Sequence, residues 1–455
     1  MSTGVPFYIL RLLLKVYHMV DSARLQALLL LASSYVTVTY QVRPFSNSLE
    51  AVQVALSLVL LKKLLVLENA PRQSQRSLVY LSLLALVAVC GLFTRITFAA
   101  FFFPVALEVV KWSLRRTRFS LRLLIRSLSL PLLVAFATIL GFIYVDSIYF
   151  HGSALLASAE LTPLNFLRYN LLPSNLAEHG LHPRWLHLVV NLPMIATPGL
   201  LYYVLRAEFD IFTSRSGEKD KNKPGVIQMM QRTLYWVRWS AVSLLSVQPH
   251  QEPRFLTPLL VPMIVMAVNN GRILRARKSF LIFWIVGNSV LAILFGILHQ
   301  GGVIPSLFRL HDMVYDEVSG LSAHHFRIVY WKTYMPPRHL LAIRQEDVDW
   351  DRVSVRDLSG ASPKSLVDTL LTTKSSTKPL SLLLVTPFHA VKELDAQVQG
   401  CVVERQRVFP HLDLDHIGES MEVGWRDGLS LGIFDVDMPC LRKAVRFEFR
   451  QETES

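Results

Sequence analysis

The sequence predicts a mainly α fold: a polytopic membrane helix bundle followed by a small C-terminal α/β domain. Composition is the first sign. Of 455 residues, 52% are hydrophobic and only 18% are charged, where soluble domains carry roughly a quarter charged residues. The second sign is that the apolar residues are gathered into runs long enough to cross a bilayer. The third is that Arg and Lys cluster between those runs, where cytosolic loops of membrane proteins concentrate them. With a mean hydropathy of +0.37, the chain is neither disordered, nor a disulfide scaffold, nor an ordinary cytosolic enzyme.

About nine spans are expected in 1–298. The runs at 25–42, 78–93, 128–145, 186–205 and 280–298 are the clearest. Shorter ones lie at 51–67, 97–112, 235–247 and 255–269, with a further doubtful stretch at 5–20. Pro193, Pro198, Pro258 and Pro262 fall inside spans, which membrane helices tolerate when neighbours satisfy the freed backbone groups. Residues 299–455 mix short strand-like runs, such as 380–388 (LSLLLVTPF) and 445–449 (VRFEF), with turn residues. They read as a compact α/β domain rather than further spans.

Charge sets the sidedness. The linker 111–126 carries Lys111, Arg115, Arg116, Arg118, Arg122 and Arg126 without an acid. The linkers at 62–76, 206–232 and 270–278 are basic too. All four are expected on the cytosolic side. The segments 43–50, 94–97, 146–185 and 248–254, together with the C-terminal domain, then fall on the opposite, lumenal face. This placement explains the net charge of +13 without nucleic acid as a partner. Cys401 and Cys440 lie in the C-terminal part and can pair if it faces an oxidising lumen. No CxxC, HExxH or paired-histidine spacing points to a metal, His324-His325 included. The N-terminus lacks the pattern of a signal peptide, because Arg11 and Lys15 interrupt its apolar stretch.

Polar residues at the expected lumenal mouths are the candidates for chemistry. His250-Gln251-Glu252-Pro253-Arg254-Phe255 places a histidine, a carboxylate and a guanidinium directly before an apolar run. Charges at that depth need a partner or a ligand. One reading is an interfacial Glu252–Arg254 ion pair anchored by His250; the other is a phosphate site. Arg95 (GLFTRITFAAFFF) reads first as a helix end that snorkels to the interface. Its functional reading is a phosphate-binding cation, since guanidinium suits phosphate oxygens. Asp146, Asn165 and Tyr169 follow the span at 128–145, where aromatic rings and amides serve as belt residues or as sugar contacts. Asn47 and Glu50 carry a weaker signal.

At these residues the chain resembles a known family. The HQEPRF loop is similar to the H-(K/Q)-E-x-R-F signature of the dolichyl-phosphate-mannose-dependent mannosyltransferases of the endoplasmic reticulum. Further stretches resemble the branch that adds a fourth mannose to glycosylphosphatidylinositol (GPI) precursors. They are Tyr40–Glu50, Arg95–Phe98, Val145–Phe150, Leu161–Leu171, Leu294–Pro305 and Thr333–Leu341. The resemblance implies a GT-C fold in the endoplasmic reticulum membrane with a lumenal active site. It implies inverting, α1,2-linked transfer of mannose from dolichyl phosphate mannose to a GPI-precursor glycolipid, with no cofactor and no metal. Arg95, His250 and Arg254 become donor-phosphate contacts, and Asn165 and Tyr169 sugar or acceptor contacts. The family's His-Pro-Asp-Glu loop, whose Asp is the usual candidate base, has no counterpart: the only His-Pro, His182-Pro183, precedes Arg184. The chain is therefore expected to be N-terminally truncated. The catalytic base stays unassigned, with Asp146 and Glu252 as weak candidates.

Two further readings compete. A lipid transporter or scramblase would bury charges along its spans, whereas 128–145, 186–205 and 280–298 contain none. An inactive fragment of the transferase would keep the later helices and the lumenal domain without the base.

Overall fold

The computed structural model describes residues 21–43, 45–69, 74–152, 159–171, 182–213, 225–269, 273, 277–316, 325–372 and 379–445. The stretch 5–20, all of 214–224, most of the linker 270–278 and His324 lie outside them. The chain divides into two compact units, Met1–Val290 and Leu291–Ser455.

The first unit is helical. In chain order it comprises α1 (Asp21–Ser33), α2 (Ser46–Val66), α3 (Ser74–Thr94), α4 (Phe98–Arg116) and α5 (Leu121–His151). These are followed by α6 (Thr162–Leu171), α7 (Leu192–Thr213), α8 (Val226–Ser246), α9 (Leu260–Asn269) and α10 (Arg277–Ile293). Among the described residues, four helices are long and apolar enough to cross a membrane: Gln75–Thr94, Leu121–His151, His187–Thr213 and Lys278–Leu298. Each covers one of the clear runs of the sequence.

The remaining clear run, 25–42, is not one helix. The α-helix stops at Ser33, and a π-helical turn follows at Thr37–Gln41. The break is stabilised from another helix. Asn288 on α10 accepts the Tyr35 backbone N–H at 2.8 Å, and the Trp284 indole donates to Ser33 Oγ at 2.9 Å. A donor freed by a broken helix is costly in an apolar surround unless a side chain takes it. In α7 the kink sits at Thr197 (φ 58°, ψ 151°), immediately before Pro198; the proline ring excludes helical ψ from its predecessor, and the positive φ is a further departure from the helix.

Packing separates central from peripheral helices. The short turn Pro253–Leu259 and α9 are buried almost throughout, with Leu256, Leu259, Leu260, Met263 and Ile264 all inaccessible. A helix apolar on every side belongs in the middle of a bundle, and α9 packs against α7, α1 and α8. By contrast α5 exposes Leu132, Leu133, Phe136, Leu140 and Tyr144, and α10 exposes Ile282, Phe283, Ile285 and Val286. Apolar faces of this extent are tolerable against lipid and not against water. One charge pair is buried inside the bundle: Arg238 of α8 forks onto Glu208 of α7 while stacking 4.3 Å above Trp239.

The second unit is an α/β domain around a five-stranded sheet. The strands are β1 (His325–Tyr330), β2 (Val353–Asp357), β3 (Leu380–Pro387), β4 (Val402–Val408) and β5 (Leu431–Val436), in the order β2-β1-β3-β5-β4. The first three are mutually parallel, while β5 runs antiparallel to β3 and β4. The sequence expectation of a strand over 380–388 is met by β3; of the other strand-like run, 445–449, Val445 is helical and residues 446–449 lie outside the described residues. Alternation along the strands builds two cores. Phe326, Ile328, Tyr330, Leu383 and Val385 face one layer with Leu307 and Leu310 of α11 (Val303–Val314). Val329, Leu382, Leu384 and Phe434 face the other with Leu366 and Leu370 of α12 (Pro363–Thr372). The edge strand β4 carries Glu404, Arg405 and Arg407 and a register irregularity, features that discourage edge-to-edge pairing. Cys401 and Cys440 are joined as a disulfide.

Candidate functional site

One end of the first unit gathers polar residues from three separate segments. The first is the N-terminus of α2. Ser48 Oγ donates to the carbonyls of Tyr40 (3.2 Å) and Arg43 (3.3 Å), closing the turn that leads into the helix. Ser46, Glu50 and Gln53 then stand on one face of α2, four and three residues apart.

That face latches the second segment, the turn between α3 and α4. Gln53 donates to Thr94 Oγ1 (3.0 Å), the Thr97 hydroxyl donates to Glu50 Oε1 (2.6 Å), and Arg95 Nη1 donates to Ser46 Oγ (3.0 Å). Arg95 Nε also donates to Thr97 Oγ1 at 3.1 Å and lies 3.5 Å from Glu50 Oε2. The turn closes tightly because Gly91 leaves room for Phe98, whose ring would lie 2.3 Å from any Cβ there. Glu50 is inaccessible to solvent, whereas the Arg95 side chain is 15% exposed. The carboxylate thus works from beneath and holds the guanidinium at the surface.

The third segment is the loop 247–255. Its centre is Gln251, buried, with its amide donating to the carbonyls of Arg184, Ser246 and Gln248 and its oxygen accepting the His187 N–H at 2.9 Å. This internal scaffold leaves the flanking side chains facing outward. Glu252 takes His250 Nε2 on one oxygen at 2.8 Å and Arg254 Nη2 at 2.7 Å, while Arg254 Nε reaches its other oxygen. Burial alone would raise the Glu252 carboxyl, but the His250 hydrogen bond and the Arg254 charge pull it down to about 2. A carboxylate so firmly ionised is a poor proton acceptor near neutrality, and its geometry is that of a clamp on two cations.

The segments meet at Phe255. The Arg95 guanidinium lies 5.3 Å and that of Arg254 6.0 Å from its ring centroid, and Arg254 also stands 5.8 Å from Phe45. The rings of His250 and His187 approach the same phenyl at 5.8 and 6.4 Å. Both guanidiniums lie within cation–π distance of one ring, each steadied by its own carboxylate partner, Glu50 or Glu252. The arrangement suits an oxyanion with several acceptor oxygens, such as a phosphate.

Arg95, His250 and Arg254 are thus brought together. Asp146, Asn165 and Tyr169 form a different neighbourhood, where α5 ends and α6 begins. Asp146 accepts the Thr162 hydroxyl, and Asn165 donates to Glu160, which also meets His151 Nε2 at 3.0 Å. The Glu160 backbone N–H is taken by Ser147 Oγ at 2.9 Å. Asn165 and Tyr169 are exposed.

Several participants carry little sequence signal. Ser46 and Gln53 are visible only through the i, i+4, i+7 spacing of 46, 50 and 53, which helical periodicity makes interpretable, and Thr97 enters only as a neighbour of Arg95. His182, to which the sequence gives no role, lies with its ring 5.7 Å from that of His250. Its backbone N–H donates to the Pro249 carbonyl at 2.8 Å.

Comparison with known proteins gives a consistent result. The model of the Alg9-like mannosyltransferase family matches residues 2–342. The chain is 34% identical to GPI mannosyltransferase 4 of Emericella nidulans over 76% of its own length and 59% of the relative's. It is 31% identical to GPI alpha-1,2-mannosyltransferase 4 of Homo sapiens, covering 92% of this chain and 75% of the relative. The Saccharomyces cerevisiae GPI mannosyltransferase 4 is 31% identical over 88% and 75% respectively. The chain thus spans between about three fifths and three quarters of these relatives. No solved structure matches it.

Proposed function

The chain belongs to the Alg9-like mannosyltransferase family, and from that premise we propose that it transfers mannose from dolichyl phosphate mannose to a GPI-precursor glycolipid. The transfer is the α1,2-linked addition of a fourth mannose at the lumenal face of the endoplasmic reticulum membrane. The observation that carries this reading is the convergence of Arg95 and Arg254 on Phe255, beside apolar helices fit to receive a polyprenyl chain. The Cys401–Cys440 disulfide supports a lumenal setting for the C-terminal domain.

The chemistry follows from charge development. As the acceptor hydroxyl oxygen bonds to C1 of mannose, the bond from C1 to the phosphate oxygen breaks, and negative charge collects on the departing dolichyl phosphate. Preorganised cations at that oxygen lower the barrier because they need no reorganisation when the charge appears. Arg95 and Arg254 supply them, with His250 as a third donor. Glu50 and Glu252 are positioning residues: each holds a guanidinium in one orientation, which matters because misplacement of a reacting group by an ångström costs orders of magnitude in rate. Asp146, Asn165 and Tyr169 belong in this scheme to an acceptor-side surface. The acceptor's proton passes to a base outside the phosphate cluster or to the departing phosphate, since Glu50 is enclosed and Glu252 is held strongly ionised.

Two measurements test the proposal. Purified chain in nanodiscs is expected to bind dolichyl phosphate and not dolichol, with Arg95→Ala and Arg254→Ala each weakening binding about 10–100-fold, the loss expected for a charge-assisted hydrogen bond. Equal binding by wild type and both variants would remove the phosphate role. Expression of the gene in cells lacking the fourth-mannose activity is expected to restore a four-mannose GPI precursor. Movement of glycolipid between leaflets without donor consumption, in place of that product, would identify a scramblase instead.

A further inference from the structure

The C-terminal unit contains a second cluster that mannosyl transfer does not use. Asp413 lies in the loop after β4 and is buried at 3% exposure. Its Oδ1 accepts the Asp415 backbone N–H at 3.1 Å, which fixes the carboxylate plane. Its Oδ2 faces two imidazoles: His416 Nδ1 at 2.9 Å and His389 Nε2 at 3.5 Å. His389 stands on the short helix Phe388–Val391 directly after β3, and its ring lies against that of His416 with centroids 5.5 Å apart.

Ion pairing joins Asp413 to His416 at 2.9 Å and, more loosely, to His389 at 3.5 Å, which places two imidazoles on one carboxylate oxygen. His389 is 4% exposed, and beyond the 3.5 Å approach of Nε2 to Asp413 its Nδ1 has no hydrogen-bond partner among the described residues. His411, two residues before Asp413 and 1% exposed, has both ring nitrogens without a partner among them. Buried polar atoms left unsatisfied are uncommon, and each one asks for a missing ligand, water or ion. The donors here are two imidazoles and one carboxylate, the set that borderline divalent metals prefer.

We propose that His389 Nε2, Asp413 Oδ2 and His416 Nδ1 bind one divalent transition-metal ion of the zinc class. The three side chains' ligand atoms lie within 4.8 Å of one another. Metal–ligand bonds of about 2.0–2.1 Å in a tetrahedral site put neighbouring ligand atoms roughly 3.3–3.5 Å apart. The separations of 2.9 and 3.5 Å from Asp413 Oδ2 bracket that value. The partly exposed His416 (34%) gives the ion a way in and can turn to close the site. The Asp415 N–H on Oδ1 is an outer-shell contact that keeps the other carboxylate oxygen aimed at the metal. Such an ion ties the segment after β3 to the loop 409–416, which nothing in the sequence spacing of the three residues announces. Its role is structural and stands apart from the transferase reading.

The test uses full-length protein purified in detergent with an affinity tag free of histidine. After stripping with chelator and reloading with Zn²⁺, about one equivalent per chain should survive gel filtration, and Co²⁺ in its place should show visible ligand-field bands. His416→Gln changes the most exposed ligand, and His389→Phe replaces a buried imidazole by a ring of similar size. Each should weaken Zn²⁺ binding at least about tenfold, with unchanged helix content by circular dichroism. Absence of stoichiometric metal in the wild type, or retention of wild-type affinity by both variants, would overturn the proposal.

Discussion

Breaking the Glu252–Arg254 contact is the sharpest probe of the phosphate cluster. The Glu252 carboxyl is held at about 2 rather than its ordinary 4.5, a difference of roughly 2.5 units, which corresponds to about 3 kcal/mol. Burial opposes that shift, so the favourable part that His250 and Arg254 share is larger than the net, and each pairing accounts for at least about 1.5–2 kcal/mol. The sign is that of an acid depressed on folding: the stabilisation is present above about pH 4.5 and is lost as the pH falls towards about 2. At pH 7 a double-mutant cycle of Glu252→Gln, Arg254→Gln and the double variant should give a coupling of at least about 1.5 kcal/mol. Reversible unfolding in mixed micelles reads it, followed by tryptophan fluorescence. Coupling below about 0.5 kcal/mol, the level at which independent sites add, would mean that Glu252 does not hold Arg254 and that the clamp is wrongly drawn.

Glu208→Ala should destabilise the first unit by about 3–5 kcal/mol, because it leaves Arg238 buried without a counter-charge. Adding Arg238→Leu should recover most of that loss, and the same micelle assay distinguishes the two. Reducing the disulfide, or replacing Cys401 and Cys440 by Ala, should lower the stability of the C-terminal unit by about 4 kcal/mol, as expected for cross-linking residues 39 apart. The check is thermal melting with and without reductant; no change in the melt would show that the bond adds nothing to folded stability.

By itself the sequence determined the class of molecule. The length of the apolar runs and the charge between them are one-dimensional properties, so four of the clearest runs appear as long apolar helices and a strand stands at 380–387. The HQEPRF loop is equally legible, because its three charged or ionisable residues are neighbours in sequence, and so is Arg95, isolated between apolar stretches. The tertiary structure decided what those residues touch. Ser46, Glu50 and Thr97 form one latch only because α2 and the α3–α4 turn pack together, and Phe255 becomes a platform for two guanidiniums only through that packing. The break after Ser33 depends on Asn288 and Trp284 from the far end of the unit, and the Glu208–Arg238 pair depends on two helices meeting. His389 and Asp413 come together through the order of the sheet and the loops at its end. Hydropathy and spacing record what each residue prefers locally, whereas a polar contact between distant segments exists only once chain packing has brought its partners within a few ångströms.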